Sequence, residues 1–506
     1  SDLTLPEAAM LAALPQFPGL NPIQAPEDAK RRQGKVLDAM ADAGYISQAQ
    51  ADAAFAEELQ VRGSALERFA IETAPHFALY ALEEVKNEFN TPEDPFFIWR
   101  NGLTVITTLD VDMQNEVTCI ARQRIAHLNH VDIDMAGCTE LEPEGFLANR
   151  QNIEHNVSNA SAVVIRPETG EILAMLGSLD YNNPEIDGEV NIALAERQPG
   201  SSFKPITYLT GFSQGLTPAD VVMDVRQVFP DAVEPYTPEN YDRRYHGPVS
   251  LRTALQRSYN IPAVWVMNQA GVKNVVDMAH RLGITSLNKD YYGLSLTLGG
   301  GEVKLLDMVY AFSTLANEGV MKGEAVASEA LRPGYRTLDP VSVLEVRDRD
   351  GNIIKQYDEP EEQRVISPQL AYLINNVLSD VTPRPPAFGD LAQYLALRDR
   401  PIIAKTGSTN EFRDGWTIGA SPQIAVGVWV GNADNEPMEK VSGSIGASPI
   451  FHDIMRYAHE GSPIVECVEP EGMVRKVVCT DSVKLPTYLC SRRSTELFIA
   501  GTEPSE

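Results

Sequence analysis

Apolar residues recur at three- and four-residue intervals over residues 1 to about 57, which predicts a helical segment. Leu5-Pro6-Glu7-Ala8-Ala9-Met10-Leu11 begins one helix, with proline tolerated in its first turn. Pro15, Pro18 and Pro22 break the pattern. Asp28 to Tyr45 predicts a second helix with Val36, Leu37 and Met40 on its apolar stripe, and a third runs from about Ser47. Residues 58–158 read as a linker region. It holds a helix over Pro75–Phe89, a strand over Leu103–Thr108 and a helix from Val111 capped by Asp110. Met113, Val117, Ala121, Ile125 and Leu128 keep helical spacing there, whereas residues 129–158 are polar and irregular, a loop insertion.

The pattern changes at about residue 159. Ala162-Val163-Val164-Ile165 and Ile172-Leu173-Ala174-Met175-Leu176 flank Arg166-Pro167-Glu168-Thr169-Gly170-Glu171, a hairpin signal. A mainly helical stretch follows to about Asn317. Strand patterns return at Val341–Val346 and Ile353–Tyr357, and Pro368–Asp380 reads as a helix. Ile402–Thr406, Trp416–Gly419 and Ile424–Val430 predict three strands with tight turns, and Phe451–His459 a closing helix. A hairpin, a helical block and a strand meander predict an α+β domain over 159–460, its sheet assembled from distant pieces. Residues 461–506 read as a loop-like tail with a few short strands. No internal repeat is visible.

A chain of 506 residues carries a prior of roughly three domains. Its 43% apolar and 22% charged content excludes full-length disorder and a coiled-coil rod. Acidic residues outnumber basic ones 70 to 42, for a formal charge of −28. That balance disfavours a nucleic-acid partner and gives no broad attraction to anionic lipid. No stretch approaches the roughly 20 apolar residues of a membrane span, and no basic-then-apolar leader opens the chain. Ser1 falls inside a helical pattern with no initiator Met, so a fragment of a longer protein is expected. The five cysteines are too few for a disulfide scaffold, although Cys479 and Cys490 could pair in an oxidising compartment. His127 and His130, near Asp132 and Asp134, are read as a polar loop rather than a metal site.

Three short motifs carry chemistry. They are Ser201-Ser202-Phe203-Lys204 opening a helix, Ser258-Tyr259-Asn260, and Lys405-Thr406-Gly407-Ser408 on the first meander strand. An SxxK match alone is weak; the ordered trio is specific. Residues three apart share a helix face, which sets Lys204 beside the Ser201 hydroxyl. A serine needs a base to become a nucleophile, and Lys204 serves only with a lowered pKa, which a second cation such as Lys405 would supply. Ser258 is placed to relay a proton and Asn260 to hold a substrate amide. The backbone N–H groups of Ser201 and Ser408 suit an oxyanion, and Lys405 with the Thr406 and Ser408 hydroxyls suits a carboxylate.

This trio resembles that of the serine penicillin-recognising enzymes. Arg197-Gln198-Pro199-Gly200 before Ser201, Ile261-Pro262-Ala263-Val264 after Asn260, Tyr292 to Gly301, and Arg413-Asp414-Gly415-Trp416 narrow the likeness to class A, bifunctional penicillin-binding proteins. Leu3–Ala12 and Arg31–Met40 are similar to the end of that family's peptidoglycan glycosyltransferase domain, so residues 1–57 are expected to be its remnant. The catalytic glutamate motif and the membrane anchor that precede that end in the family have no match. The resemblance implies a penicillin-binding/β-lactamase-like transpeptidase domain, an antiparallel sheet flanked by helices with a helical subdomain. It implies DD-transpeptidation at the extracytoplasmic face of the bacterial cytoplasmic membrane. Ser201, Lys204, Ser258 and Lys405 would be catalytic, and Asn260, Thr406, Gly407 and Ser408 would bind substrate. Peptidoglycan stem peptides and β-lactams are the expected partners; no cofactor or metal is implied.

Three rivals share parts of this pattern. A β-lactamase needs a deacylating glutamate, and no ExxLN pattern lies between Ser258 and Lys405. A DD-carboxypeptidase differs only in its acceptor, which is water. A non-catalytic β-lactam sensor would not carry a glycosyltransferase remnant.

Overall fold

A five-stranded antiparallel sheet organises the larger part of the chain. Its strands are β1 (Asn159–Ile165), β2 (Ile172–Leu176), β3 (Ile403–Ser408), β4 (Asp414–Ala420) and β5 (Ala425–Gly431), in the order β3-β4-β5-β1-β2. The 162–176 hairpin supplies one edge and the 402–430 meander the other, so the sheet closes only when β5 pairs with β1. Every residue of β1, β4 and β5 is buried, because helices cover both faces. Alternate side chains go to opposite sides. Val163, Ile165, Trp416, Ile418 and Trp429 join the core under the helices Lys204–Ser213, Asn260–Ala270 and Leu305–Ala316. Ala162, Val164, Val426, Val428 and Val430 join a second core under Val111–Leu128 and Ala447–Ala458. Arg124 and Asp453, each 6% exposed, pair across those last two helices.

The computed structural model describes residues 3–15, 21–22, 25–57, 59, 73–132, 138, 155–231 and 235–505. The chain divides into two compact units, Ser1–Glu72 and Thr73–Glu506. In the first, helices Leu5–Ala13, Pro26–Asp42 and Gln48–Ala56 enclose a small core of Ala9, Leu37, Ala51 and Ala54. Val36 and Met40 are only half-buried, so the expected stripe on the second helix narrows to Ala29, Gln33 and Leu37. The buried Gln33 amide donates to Pro6 O at 2.7 Å, tying the first two helices together.

Much of the expected linker region is knitted into the second unit. The helix Pro75–Phe89 has its predicted bounds, and the Asp110 carboxylate accepts from Met113 N at 3.0 Å as an N-cap should. The strand Thr104–Thr107 pairs with Val343–Arg347, which pairs with Ile353–Gln356. A second small sheet, Glu361–Arg364 with Val320–Ala325 and Leu338–Asp339, was not expected. Most of the 129–158 insertion, with Asp134, lies outside the described residues, as does Pro18. Cys119 and Cys138 nonetheless form a disulfide, a pairing the sequence reading did not foresee. Among the described residues no group of three acidic, Cys or His side chains could hold a metal, and no helix is long and apolar enough to cross a membrane.

The tail is more ordered than expected. Met473–Cys479 and Arg493–Ile499 form a seven-residue antiparallel ribbon, closed by the Cys479–Cys490 disulfide. Phe498 and Val478 pack on Ala219, and Glu496 pairs with Arg252 at 2.5 Å.

Candidate active site

The first motif lies on a tight 3₁₀ turn, Gly200–Phe203, that runs into the helix Lys204–Ser213. Ser202 is buried and its hydroxyl donates to Pro199 O at 2.7 Å, so this serine holds the turn. Ser201, one residue earlier, is half-buried, and among the described residues no hydrogen bond engages its hydroxyl; the Lys204 amine expected beside it turns to the second motif. Lys204 is fully buried at the start of the helix. Ser258 follows the helix Leu251–Gln256 with φ +59°, a left-handed backbone that is costly for a residue with a Cβ.

The three motifs meet at two amines. Lys204 Nζ donates to Ser258 O at 2.6 Å, Asn260 Oδ1 at 2.7 Å and Tyr259 O at 3.1 Å, and lies 3.4 Å from Ser258 Oγ. Lys405 Nζ donates to Ser258 Oγ at 2.8 Å and to Thr406 O at 2.8 Å. One hydroxyl therefore touches both lysines. Burial, and then the charge of Lys405, push the Lys204 amine well below the usual lysine range. Burial, and then the Arg384 guanidinium, push Lys405 down to about 7. The expected depression of Lys204 is present, although burial rather than its neighbour is the larger cause.

Glycines let the motif backbones touch. A Cβ on Gly407 would sit 2.1 Å from Pro199 O, and one on Gly200 would sit 2.4 Å from Ser408 O. One on Gly299 would sit 2.3 Å from Gly200 N. Gly200 also has φ +54°, which a side chain would oppose. The Ser201 turn is thus seated on β3 and on the Gly299 segment through close main-chain contacts.

The expected substrate contacts fare differently. Asn260 faces inward: Oδ1 takes the Lys204 amine and Nδ2 donates to Glu239 O at 2.7 Å. Ser408 Oγ accepts from Gly443 N at 2.9 Å and keeps its own proton to donate. Thr406 is buried at 6% exposure. Trp416 is fully buried in the core, where no substrate reaches it.

A layer behind the second motif escaped the sequence reading. Asp224, 0% exposed, accepts from Asn240 Nδ2 at 2.9 and 2.8 Å and lies 2.5 Å from His246 Nδ1. Asn240 Oδ1 accepts from Asn260 N at 2.8 Å, and the His246 ring stacks on Tyr259 at 3.9 Å. Asp224 ends the short strand Val221–Asp224, whereas Asn240 and His246 stand in a stretch whose only signal is the density of polar and aromatic residues over Tyr236 to His246. Together they aim Tyr259 and Asn260.

Comparison with known proteins bears on the fold and the family. Residues 160–456, more than half of the chain, match the penicillin binding protein transpeptidase domain. Residues 469–506 match the C-terminal domain of penicillin-binding protein 1A, which accounts for the ribbon found where a loop-like tail was expected. Penicillin-binding protein 1A of Aquifex aeolicus is 28% identical over 99% of this chain and 72% of its own length. Penicillin-binding protein 2D of Bacillus subtilis is 28% identical over 100% of this chain and 66% of its own. The crystal structure of penicillin-binding protein 1A from Haemophilus influenzae superposes with a TM-score of 0.68 at 22% identity, covering 100% of this chain and 87% of that one. PonA1 of Mycobacterium tuberculosis, solved in complex with penicillin V, gives 0.60 at 22% identity over 79% of this chain and 96% of that one. The chain belongs to the penicillin-binding protein transpeptidase family, and its closing segment places it with the 1A type.

Proposed function

We propose that the chain is a serine DD-transpeptidase that cross-links peptidoglycan stem peptides through an acyl-enzyme on Ser201. The observation that carries this reading is the Ser258 hydroxyl held between two buried, pKa-depressed lysines beside the Ser201 turn. Ser201 Oγ attacks the carbonyl of the penultimate D-Ala, and its proton passes to the Lys204 amine. The C–N bond breaks and the terminal D-Ala leaves with a proton delivered through Ser258. The amine of a second stem then attacks the ester, forms the cross-link and returns the proton to Ser201. Lys405, Thr406 and Ser408 hold the substrate carboxylate, and the N–H groups of Ser201 and Ser408 receive the oxyanion. Asn260 still has a second amide N–H for the substrate while it holds Lys204.

A β-lactam acylates the same serine, and its tethered leaving group keeps the ester in place. The parent protein is read as membrane-anchored, working at the extracytoplasmic face and polymerising glycan through its glycosyltransferase domain. Intact mass after incubation with benzylpenicillin tests the chemistry. One stable adduct is expected on the wild type and none on Ser201→Ala. Rapid penicillin loss without an adduct would indicate a β-lactamase instead. Turnover with an amine acceptor in place of water separates transpeptidase from carboxypeptidase.

A further inference from the structure

Behind the site lies a cation that the proposed chemistry does not use. Arg384 is 1% exposed, in a proline-rich turn between the helix Pro368–Ser379 and β3. Its Nε donates to Gln256 Oε1 at 2.8 Å. Nη1 donates to Leu395 O at 2.6 Å, and Nη2 to Ala404 O at 3.1 Å and to Leu378 O. Gln256 stands two residues before Ser258, and Ala404 one residue before Lys405. One guanidinium therefore bolts together the two segments whose side chains meet at Ser258 Oγ. Arg384, Gln256, Ala404 and Lys405 also line a common small cavity.

All four acceptors are neutral, and among the described residues no carboxylate lies within 4.0 Å of this guanidinium. Buried arginines ordinarily carry such a partner, since an unpaired buried charge is costly. We propose that Arg384 is a positioning residue of the acylation site, which locks the Ser258 turn to the Lys405 strand and presents a permanent positive charge to Lys405. The inference rests on the Ser201 acylation reading.

The charge reaches its target because little opposes it. Among the described residues, the charged groups on or flanking the elements around β3 are Lys204, Asp414, Asp390, Arg257 and Asp380, and Tyr394 adds a neutral phenol. Lys204 is a second cation, and Asp414 is occupied by Trp429 Nε1 at 2.8 Å. Asp390 is exposed, and Arg257 turns to Pro383 O at 3.0 Å. Asp380 is half-buried and shared with Arg252 at 3.5 Å. Burial lowers Arg384 only to about 10, so it stays charged at neutral pH, where Lys405 titrates. Whichever form of Lys405 serves acylation, the limb of the pH profile that it sets moves upward when Arg384 loses its charge.

The test is the second-order rate of acylation by benzylpenicillin, followed across the neutral range for the wild type and Arg384→Gln. The expected result is a rate at least about tenfold lower and a Lys405-dependent midpoint raised by about one pH unit. A slower variant with an unmoved midpoint would reduce Arg384 to a structural strut and overturn the proposal, as would an unchanged rate. Should Arg384→Gln fail to fold, Arg384→Lys serves. It keeps a positive charge but lacks the planar fork that reaches Gln256, Leu395, Leu378 and Ala404 together. A rate lowered at least about fivefold with the midpoint unmoved is then expected; a wild-type rate, or a midpoint raised by about one pH unit, overturns the proposal. Failure of the acylation reading looks different: the wild type itself would carry no adduct at any pH.

Discussion

Lys405 opposes folding. Its amine is buried, and its folded value of about 7 lies below the usual 10.5. Between those values the unfolded chain holds the extra proton, so the stability this group removes is fully lost below pH 7 and recovered as pH climbs toward the unfolded value. Lys405→Met is therefore expected to stabilise the protein by about 2 kcal/mol at pH 6, with the gain fading toward alkaline pH. Thermal unfolding of both proteins at several pH values checks this; a gain that grows with pH contradicts it. The same variant should lose penicillin acylation. At this scale the sequence singled out Ser201, Lys204, Ser258 and Lys405 through short motifs, and the structure brings Lys204, Ser258 and Lys405 together. Arg384 and Asp224 stayed hidden. A charged residue among prolines or at the end of a short strand looks solvated until distant carbonyls and amides are seen around it.

At the scale of elements, what joins the motifs is the absence of side chains. Gly407→Ala would set a methyl 2.1 Å from Pro199 O, a backbone atom that cannot swing aside. The Ser201 turn must then lift from β3. The expected outcome is acylation slowed roughly 100-fold, the loss that a misplacement of about 1 Å brings, with the circular dichroism of the fold retained. Near-wild-type acylation would show that the contact is not needed.

Elements with strong local signals were legible. Pro75–Phe89 opens with a proline at its first position, Val111–Leu128 carries an Asp110 cap and an unbroken apolar stripe, and the β3–β5 meander is a set of apolar runs between turns. Elements stabilised only by tertiary pairing were not. Glu361–Arg364 is four polar, exposed residues that become a strand by pairing with Val320–Ala325. The Cys119–Cys138 link has no local signal at all, since one partner sits in a helix and the other in a polar insertion.

For the whole molecule, the division at Glu72 makes a sharp prediction. The small helical unit has its own core, and no side chain of the site comes from it. A chain beginning at Thr73 is expected to fold and to acylate with benzylpenicillin at the wild-type rate; loss of the adduct would show that the site depends on the amino-terminal helices. The main-chain seating of Gly200, Gly299 and Gly407 has a consequence at this scale too. A rigid part held at a few hard points keeps its position whatever is bolted to its outer surface. The Ser201 turn is referenced to β3 and to the Gly299 segment through main chain, so exposed side chains around it can change without moving the nucleophile. Under drug selection, that freedom lets a penicillin target reshape the walls a β-lactam must fit while the distances its own chemistry needs stay where they are.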